Sequence, residues 1–306
     1  MTGKVCIIMR TRSIFIGAAL VLAVAGASAQ DSGGTLAKAK AAGTITMGVR
    51  EASPPLSYSL GGSYVGYHVE LCEQMLGKLL PGVTIRQMVV TSQNRVPLLQ
   101  NGTVDIECGS TTNNAARQQQ VAFANTTYIT EARFAVRESS GIQSVEQLKG
   151  KTIVTTTGTT LVQRLRKLEQ DNKGFGLSIV LAKDHAESFL LLETGRADAF
   201  AMDDNTLAGN IASARNPGDF RIVGKPLGIE PIAIMLRKED PAFKSAVDGY
   251  LGGMMASGAL EKLYAKWFME PIPPRSTVIN IPLSDSLRAA FRSPNDRPAE
   301  AYEDKP

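Results

Sequence analysis

The sequence predicts an α/β protein of two lobes, each a central sheet flanked by helices, with a ligand in the cleft between them. Three observations lead there. Strand-like and helix-like segments alternate along the chain, the order expected of parallel sheets built from αβ units. The pattern restarts after residue 138. One segment also occurs twice: Leu98-Leu99-Gln100-Asn101-Gly102-Thr103-Val104-Asp105-Ile106 resembles Leu191-Leu192-Glu193-Thr194-Gly195-Arg196-Ala197-Asp198-Ala199. Each copy reads as helix, capping glycine, Asp and strand. Each then runs into a polar cluster, Gly109-Ser110-Thr111-Thr112 in the first and Asp203-Asp204-Asn205 in the second. Open α/β sheets bind ligands at such carboxyl ends.

The elements follow in order. Residues 44–50 read as a strand ending at Arg50, with the turn Ser53-Pro54-Pro55 behind it. Val69, Cys72, Met75, Leu76, Leu79 and Leu80 have helical spacing across 67–80. Residues 83–90 are a β-branched strand. The loop Thr91-Ser92-Gln93-Asn94-Arg95 opens a short helix that stops at Gly102, and a strand over 104–106 follows. In the second series, 144–148 is a short helix before Gly150, and 152–156 is a strand. Gly158-Thr159-Thr160 opens a helix through Leu168. Residues 178–182 form a strand, and Asp184-His185 opens the next helix. Residues 231–237 read as one more apolar strand. Helices are expected from Pro241 to about Ser257 and from Gly258 to Phe268, then a surface-wrapping tail from Pro271. The chain is expected to leave the first lobe near Glu131-Ala132-Arg133-Phe134 and return near Gly228. That gives 36–131 plus 229–280 as one lobe, 132–228 as the other and 281–306 as a tail.

The N-terminus reads as a cleaved signal peptide over residues 1–29. Lys4, Arg10 and Arg12 precede an apolar run from Ser13 to Ala25, and Ala27-Ser28-Ala29 forms a small-residue cleavage site. The apolar run is short for a membrane span. The whole chain has 33 Lys+Arg and 29 Asp+Glu. The leader holds three of the basic residues and no acidic one, so thirty face twenty-nine in the mature chain. That balance gives no drive toward nucleic acid. After cleavage Cys72 and Cys108 remain. They are either a disulfide pair of an exported protein or buried apolar fillers. No spacing suggests a metal site.

The residues that carry chemistry stand at strand and loop ends: Arg50, Ser92, Arg95, Ser110, Thr112, Arg117, Thr159, Thr160, His185 and Asp203. Guanidinium forks match carboxylates, and hydroxyls and helix N-termini add donors for anions. Only Asp203 suits an ammonium. Three arginines and one aspartate therefore point to a ligand with two carboxylates and one ammonium. Each residue also has a plain structural reading. Arg50 and Arg95 would be solvated charges, Arg117 an exposed helix residue, Asp203 an N-cap in competition with Asp204, and His185 a helix-start residue. Their joint occurrence at corresponding element ends favours a site. Catalytic signatures are weaker, since no Gly-x-Ser-x-Gly elbow and no phosphate-binding glycine loop with its lysine is present.

At these residues the chain resembles the extracytoplasmic solute-binding proteins of polar amino-acid ABC transporters. The matching stretches are Gly48-Val49-Arg50-Glu51, the run from Thr91 to Gly102, Glu107-Cys108-Gly109-Ser110-Thr111-Thr112-Asn113-Asn114, Ala182-Lys183-Asp184-His185, Met202-Asp203-Asp204, and Trp267-Phe268 followed by Pro271-Ile272-Pro273-Pro274. The resemblance implies the type II periplasmic-binding-protein fold. It also implies a periplasmic, monomeric protein that needs no cofactor and delivers L-glutamate or L-aspartate to a membrane permease. Arg117 with Ser110 and Thr112 would hold the α-carboxylate and Asp203 the α-ammonium. Arg50, Ser92, Arg95 and His185 would address the side-chain carboxylate, and Thr160 would add a hydrogen bond from the second lobe. Some relatives carry a cysteine near 231–237, where this chain has none. The alternative is a dehydratase on the same scaffold, acting on cyclohexadienyl acids; it would need a general acid that does not stand out here.

Overall fold

The computed structural model describes residues 1–3 and 34–303. After its first three residues, the predicted leader lies outside the described residues. Among the described residues no helix is long and apolar enough to cross a membrane.

A five-stranded sheet and a six-stranded sheet, the sixth strand being Ile229–Ile232, organise the chain. The first runs Thr84–Val89, Thr44–Val49, Ile106–Glu107, Met235–Leu236, Ala122–Phe123. The second runs Ser178–Ala182, Thr152–Thr156, Ala199–Asp203, Tyr128–Arg137, Phe220–Val223. Parallel sheets were the expectation from the alternating pattern, but both are mixed. The reason lies in how the chain passes between them. Tyr128–Arg137 pairs its first four residues with Ile229–Ile232 and its remainder with Ala199–Asp203 and Phe220–Val223. It enters the second sheet beside Asp203, the end where the parallel strands finish, and so must run antiparallel to them.

One long strand thus joins two cores. Tyr128 and Ile129 pack with the first, and Ala132, Phe134, Ala135 and Val136 with the second. Tyr128 is fixed against Phe268 at 4.9 Å between ring centroids, and Phe268 stacks on Tyr264 at 4.2 Å. Such aromatic pairs contribute about 1 kcal/mol beyond their buried area.

The repeat seen in the sequence builds the same device twice. Gly102 and Gly195 both adopt a left-handed conformation, with φ of 77° and 75°. The Asp105 amide donates to the carbonyl of Thr46 and its carboxylate accepts from the Thr46 amide at 2.9 Å. Asp198 does the same to Thr152, also at 2.9 Å. Each aspartate therefore sets the register of its strand against a neighbouring strand.

Two segments differ from expectation. The expected strand 231–237 is two strands, Ile229–Ile232 and Met235–Leu236, because the first pairs with the crossing strand and the second with the first sheet. The tail holds a hairpin, Pro271–Ile272 with Thr277–Val278, and a helix, Asp285–Arg292. That helix buries Leu287, Ala290 and Phe291 against the first core, and the Ser284 hydroxyl caps it. Cys72 and Cys108 form a disulfide that ties the helix Tyr67–Leu79 to the end of the strand Ile106–Glu107.

Candidate functional site

The polar ends of the two sheets face one another. Arg50 follows the strand Thr44–Val49, and its amide is held by Ser57 Oγ at 2.8 Å. Ser92 lies in a turn closed by reciprocal bonds, with Asn94 Oδ1 accepting from the Thr91 amide and Thr91 Oγ1 from the Asn94 amide. Arg95 opens the next helix, Arg95–Gln100. Ser110 and Thr112 follow the strand Ile106–Glu107. Asn114 caps the four-residue helix that carries Arg117. From the second lobe come Thr160, the N-cap of Leu161–Asp171, then His185 at the start of His185–Glu193, and Asp203 at the end of Ala199–Asp203.

These residues meet at the junction of the lobes. Arg50 Nη1 donates to Ser110 Oγ at 3.1 Å, and Nη2 donates to Ser92 Oγ at 2.8 Å. Nη2 also lies 3.4 Å from His185 Nε2, across the cleft. Arg117 Nη1 donates to the Thr112 carbonyl at 2.8 Å, and Nη2 crosses the cleft to the Gly158 carbonyl at 3.1 Å. Thr160 donates to Glu230 Oε2 at 3.1 Å, and Thr159 to the carbonyl of Thr156 at 2.7 Å. Arg50, Arg95, His185 and Asp203 are all at least 97% buried, since none exceeds 3% exposure. The solvated-charge reading of the two arginines therefore fails.

The hydrogen bonds around His185 fix its protonation. A guanidinium has no acceptor, so Nε2 must accept from Arg50. The ring proton then sits on Nδ1 and donates to Thr156 Oγ1 at 2.7 Å. Thr156 in turn donates to Ser188 Oγ at 2.8 Å, and Ser188 donates to the Asp184 carbonyl at 2.9 Å. Burial, then Arg50 and Arg95, hold the His185 pKa well below its ordinary value. The imidazole is neutral and orients Arg50.

Among the buried charged groups with hydrogen-bonding capacity left over, Asp203 and Arg95 each leave two atoms unsatisfied. Asp203 stands at an N-cap, yet neither carboxylate oxygen has a partner among the described residues. By contrast, Asp184 caps its helix through the Glu187 amide at 2.8 Å. Arg95 Nε and Nη1 are likewise buried without partners. Burial, reinforced by Glu230 and Asp204, pushes the Asp203 pKa well above the carboxylate range, while Arg95 and Arg117 oppose the shift. Burial, together with the charge of Arg95, lowers Arg50 and Arg117 to about 9, still cationic at neutral pH. Buried unpaired charges cost several kcal/mol each unless a partner arrives. The arrangement can therefore bind a zwitterion that carries additional negative charge.

Several participants were not singled out in the sequence. Glu107 is buried beneath the arginines, and Thr111 donates to its Oε2 at 2.6 Å. His68 is buried and lies against Thr127 Oγ1 at 2.8 Å and the Gly109 carbonyl at 2.5 Å. Burial lowers its pKa to about 4. Both residues break an apolar stripe, which is a sequence signal for a buried polar role. Gly158 and Ser188 carried no such signal, because their roles depend on the other lobe or on a neighbouring strand.

The chain matches the family model of bacterial extracellular solute-binding proteins, family 3, over residues 45–270. It is 44% identical over 302 residues to the L-glutamate/L-aspartate-binding protein of Pseudomonas aeruginosa, covering 95% of this chain and 99% of that one. It is 44% identical over 284 residues to the glutamate/aspartate import solute-binding protein of Escherichia coli, covering 90% and 93%. Among solved structures it is similar to an ancestral amino-acid-binding protein described as a precursor of cyclohexadienyl dehydratase. That similarity has a TM-score of 0.67 at 26% identity, over 76% of this chain and 99% of that one.

Proposed function

The chain belongs to the bacterial extracellular solute-binding proteins, family 3, and on that premise we propose that it captures an acidic amino acid, glutamate or aspartate, for import by an ABC transporter. The observation that carries this reading is the pair of unsatisfied buried groups, the Asp203 carboxylate and the Arg95 guanidinium, at one lobe junction. An α-ammonium would satisfy the first and a carboxylate the second. Arg117 with Ser110 and Thr112 takes the α-carboxylate. Arg50, Ser92 and Arg95 take the side-chain carboxylate, with His185 acting through Arg50. Thr160 supplies the second lobe's hydrogen bond by turning its hydroxyl from Glu230 to the ligand.

In this reading the lobes are 36–131 plus 229–280 and 132–228, with 281–306 as tail. They close on the ligand by hinge bending, and the membrane permease recognises the closed form. The protein works outside the cytoplasm, after cleavage of residues 1–29. A binding role is favoured over dehydration chemistry by the state of His185: its Nε2 accepts from Arg50 and its proton is committed to Thr156, so the imidazole has none to give a leaving hydroxyl.

A thermal-shift screen of glutamate, aspartate, glutamine, asparagine, histidine and arginine tests the function, since a ligand that binds only the folded state raises the midpoint. The two acidic amino acids should give the largest shifts. A larger shift with an amide or a basic amino acid than with both would overturn the reading.

A further inference from the structure

The charge of the site is not set by the ligand-facing residues alone. Glu107 lies in the middle of the first sheet, on the strand Ile106–Glu107, and is 1% exposed. Thr111 satisfies one of its oxygens at 2.6 Å, while Oε1 is buried with no hydrogen-bond partner among the described residues. Gly109 shows where that oxygen points. A Cβ there would stand 2.1 Å from Glu107 Oε1, 2.7 Å from Arg50 Cγ and 3.0 Å from Arg50 Cδ. Only a glycine lets the carboxylate and the Arg50 stem approach so closely. The same negative charge acts on Arg50, Arg95 and Arg117, favouring the cation in each against the cost of burial.

The charges can then be counted. Arg50, Arg95 and Arg117 bring three positive charges, and Asp203 and Glu107 bring two negative ones. His185 is neutral, Glu230 is offset by Arg164, whose Nε lies 2.6 Å from it, and Asp204 accepts from Thr130 and is offset by the field of Arg133. One positive charge is left. With two carboxylates and one ammonium, an acidic amino acid carries one negative charge, so the filled site is neutral. Without Glu107 the site would keep a buried, uncompensated charge when filled, which is costly.

We propose that Glu107 is a specificity-determining residue: a fixed counter-charge that sets the pocket at plus one and so matches it to acidic amino acids rather than to dicarboxylates lacking an ammonium. It acts through the arginines and is a positioning residue, not a ligand contact. The proposal rests on the acidic amino-acid reading given above.

Calorimetric titration of wild type and Glu107→Gln with L-glutamate and with glutarate, the diacid lacking the amine, tests it. Glutamine keeps an oxygen for Thr111 and removes the charge. In Glu107→Gln the preference for glutamate over glutarate should fall at least tenfold, with glutarate gaining affinity. Thr111→Val, which removes the hydrogen bond but leaves the charge, should keep the wild-type preference within about twofold. An unchanged preference in Glu107→Gln, or equal losses for both ligands, would overturn the proposal. Should Glu107→Gln fail to fold, carbon-13 NMR of the wild-type Glu107 carboxyl with glutamate bound still decides it: a carboxylate at neutral pH is required, and a protonated carboxyl is fatal. Failure of wild type to bind either acidic amino acid would instead sink the functional reading itself.

Discussion

Asp203 occupies an N-cap and caps nothing, so its cost to the unliganded protein and its value to the ligand should separate by mutation. Breaking a desolvated charge pair costs roughly 3–5 kcal/mol, so Asp203→Asn should weaken glutamate binding by at least about a hundredfold. The unliganded variant should melt higher than wild type, because a buried unpaired carboxylate has been removed. Calorimetry and a melting curve check both halves; a variant that binds as tightly as wild type would refute the assignment. The pH dependence carries opposing signs. A carboxyl whose pKa is raised on folding contributes stability that is present below about pH 4 and is lost as pH rises. His68 and His185 are depressed, so the unfolded chain binds more protons below about 6.5 and stability falls as pH falls. In Asp203→Asn the histidine trend loses its most deeply buried opponent, with Asp204, Glu131 and Glu73, whose pKa values are also raised, left to oppose it. The variant's stability should decline steadily from pH 7 to 4, by about 3 kcal/mol from His68, as read by urea midpoints across that range. A flat profile would contradict the buried neutral histidines. Arg50, Arg95, Arg117 and Asp203 could be read from residue type and position. Glu107 and the Thr156–Ser188 support of His185 could not, because their partners come from other strands and loops.

At the level of elements, closure depends on backbone approaching backbone. Gly158 carries φ of 81°, and a Cβ on it would stand 2.7 Å from the Gln93 Cα and amide nitrogen across the cleft. Its carbonyl also receives Arg117. Gly158→Ala should weaken acidic-ligand binding more than tenfold, since the lobes could no longer meet. The melting point without ligand should drop only modestly, as the left-handed backbone costs about 1–2 kcal/mol. Binding within twofold of wild type would show that this contact does not govern closure. The αβ units were legible because each is local: apolar spacing, a capping glycine and an aspartate lie within ten residues. The crossing strand was read only as a place where the chain changes lobe. Its partners, Ile229–Ile232 and Ala199–Asp203, are too distant in sequence to leave a local pattern. The helix Asp285–Arg292 did leave one, in Ser284, Leu287, Ala290 and Phe291, but the prolines before it and the charges after it masked the signal.

For the whole molecule, the order of strands in the first sheet matters. Met235–Leu236 sits between Ile106–Glu107 and Ala122–Phe123, so the first lobe is built from both sides of an inserted second lobe. The disulfide from Cys72 to Cys108 ties together only the part that precedes the insertion. The second lobe closes from contiguous chain, whereas the first needs pairings across more than a hundred residues, and non-local pairings form slowly. Pulse-labelled hydrogen exchange during refolding should therefore protect the amides of Ala199–Asp203 before that of Met235, and the reverse order would exclude this sequence of events. On the ribosome the central sheet cannot be completed until Met235 and Leu236 have emerged, so most of the polypeptide is made while one lobe is still open. On the proposed reading of an exported protein, that delay would leave the chain longer in a form that can be threaded through a membrane.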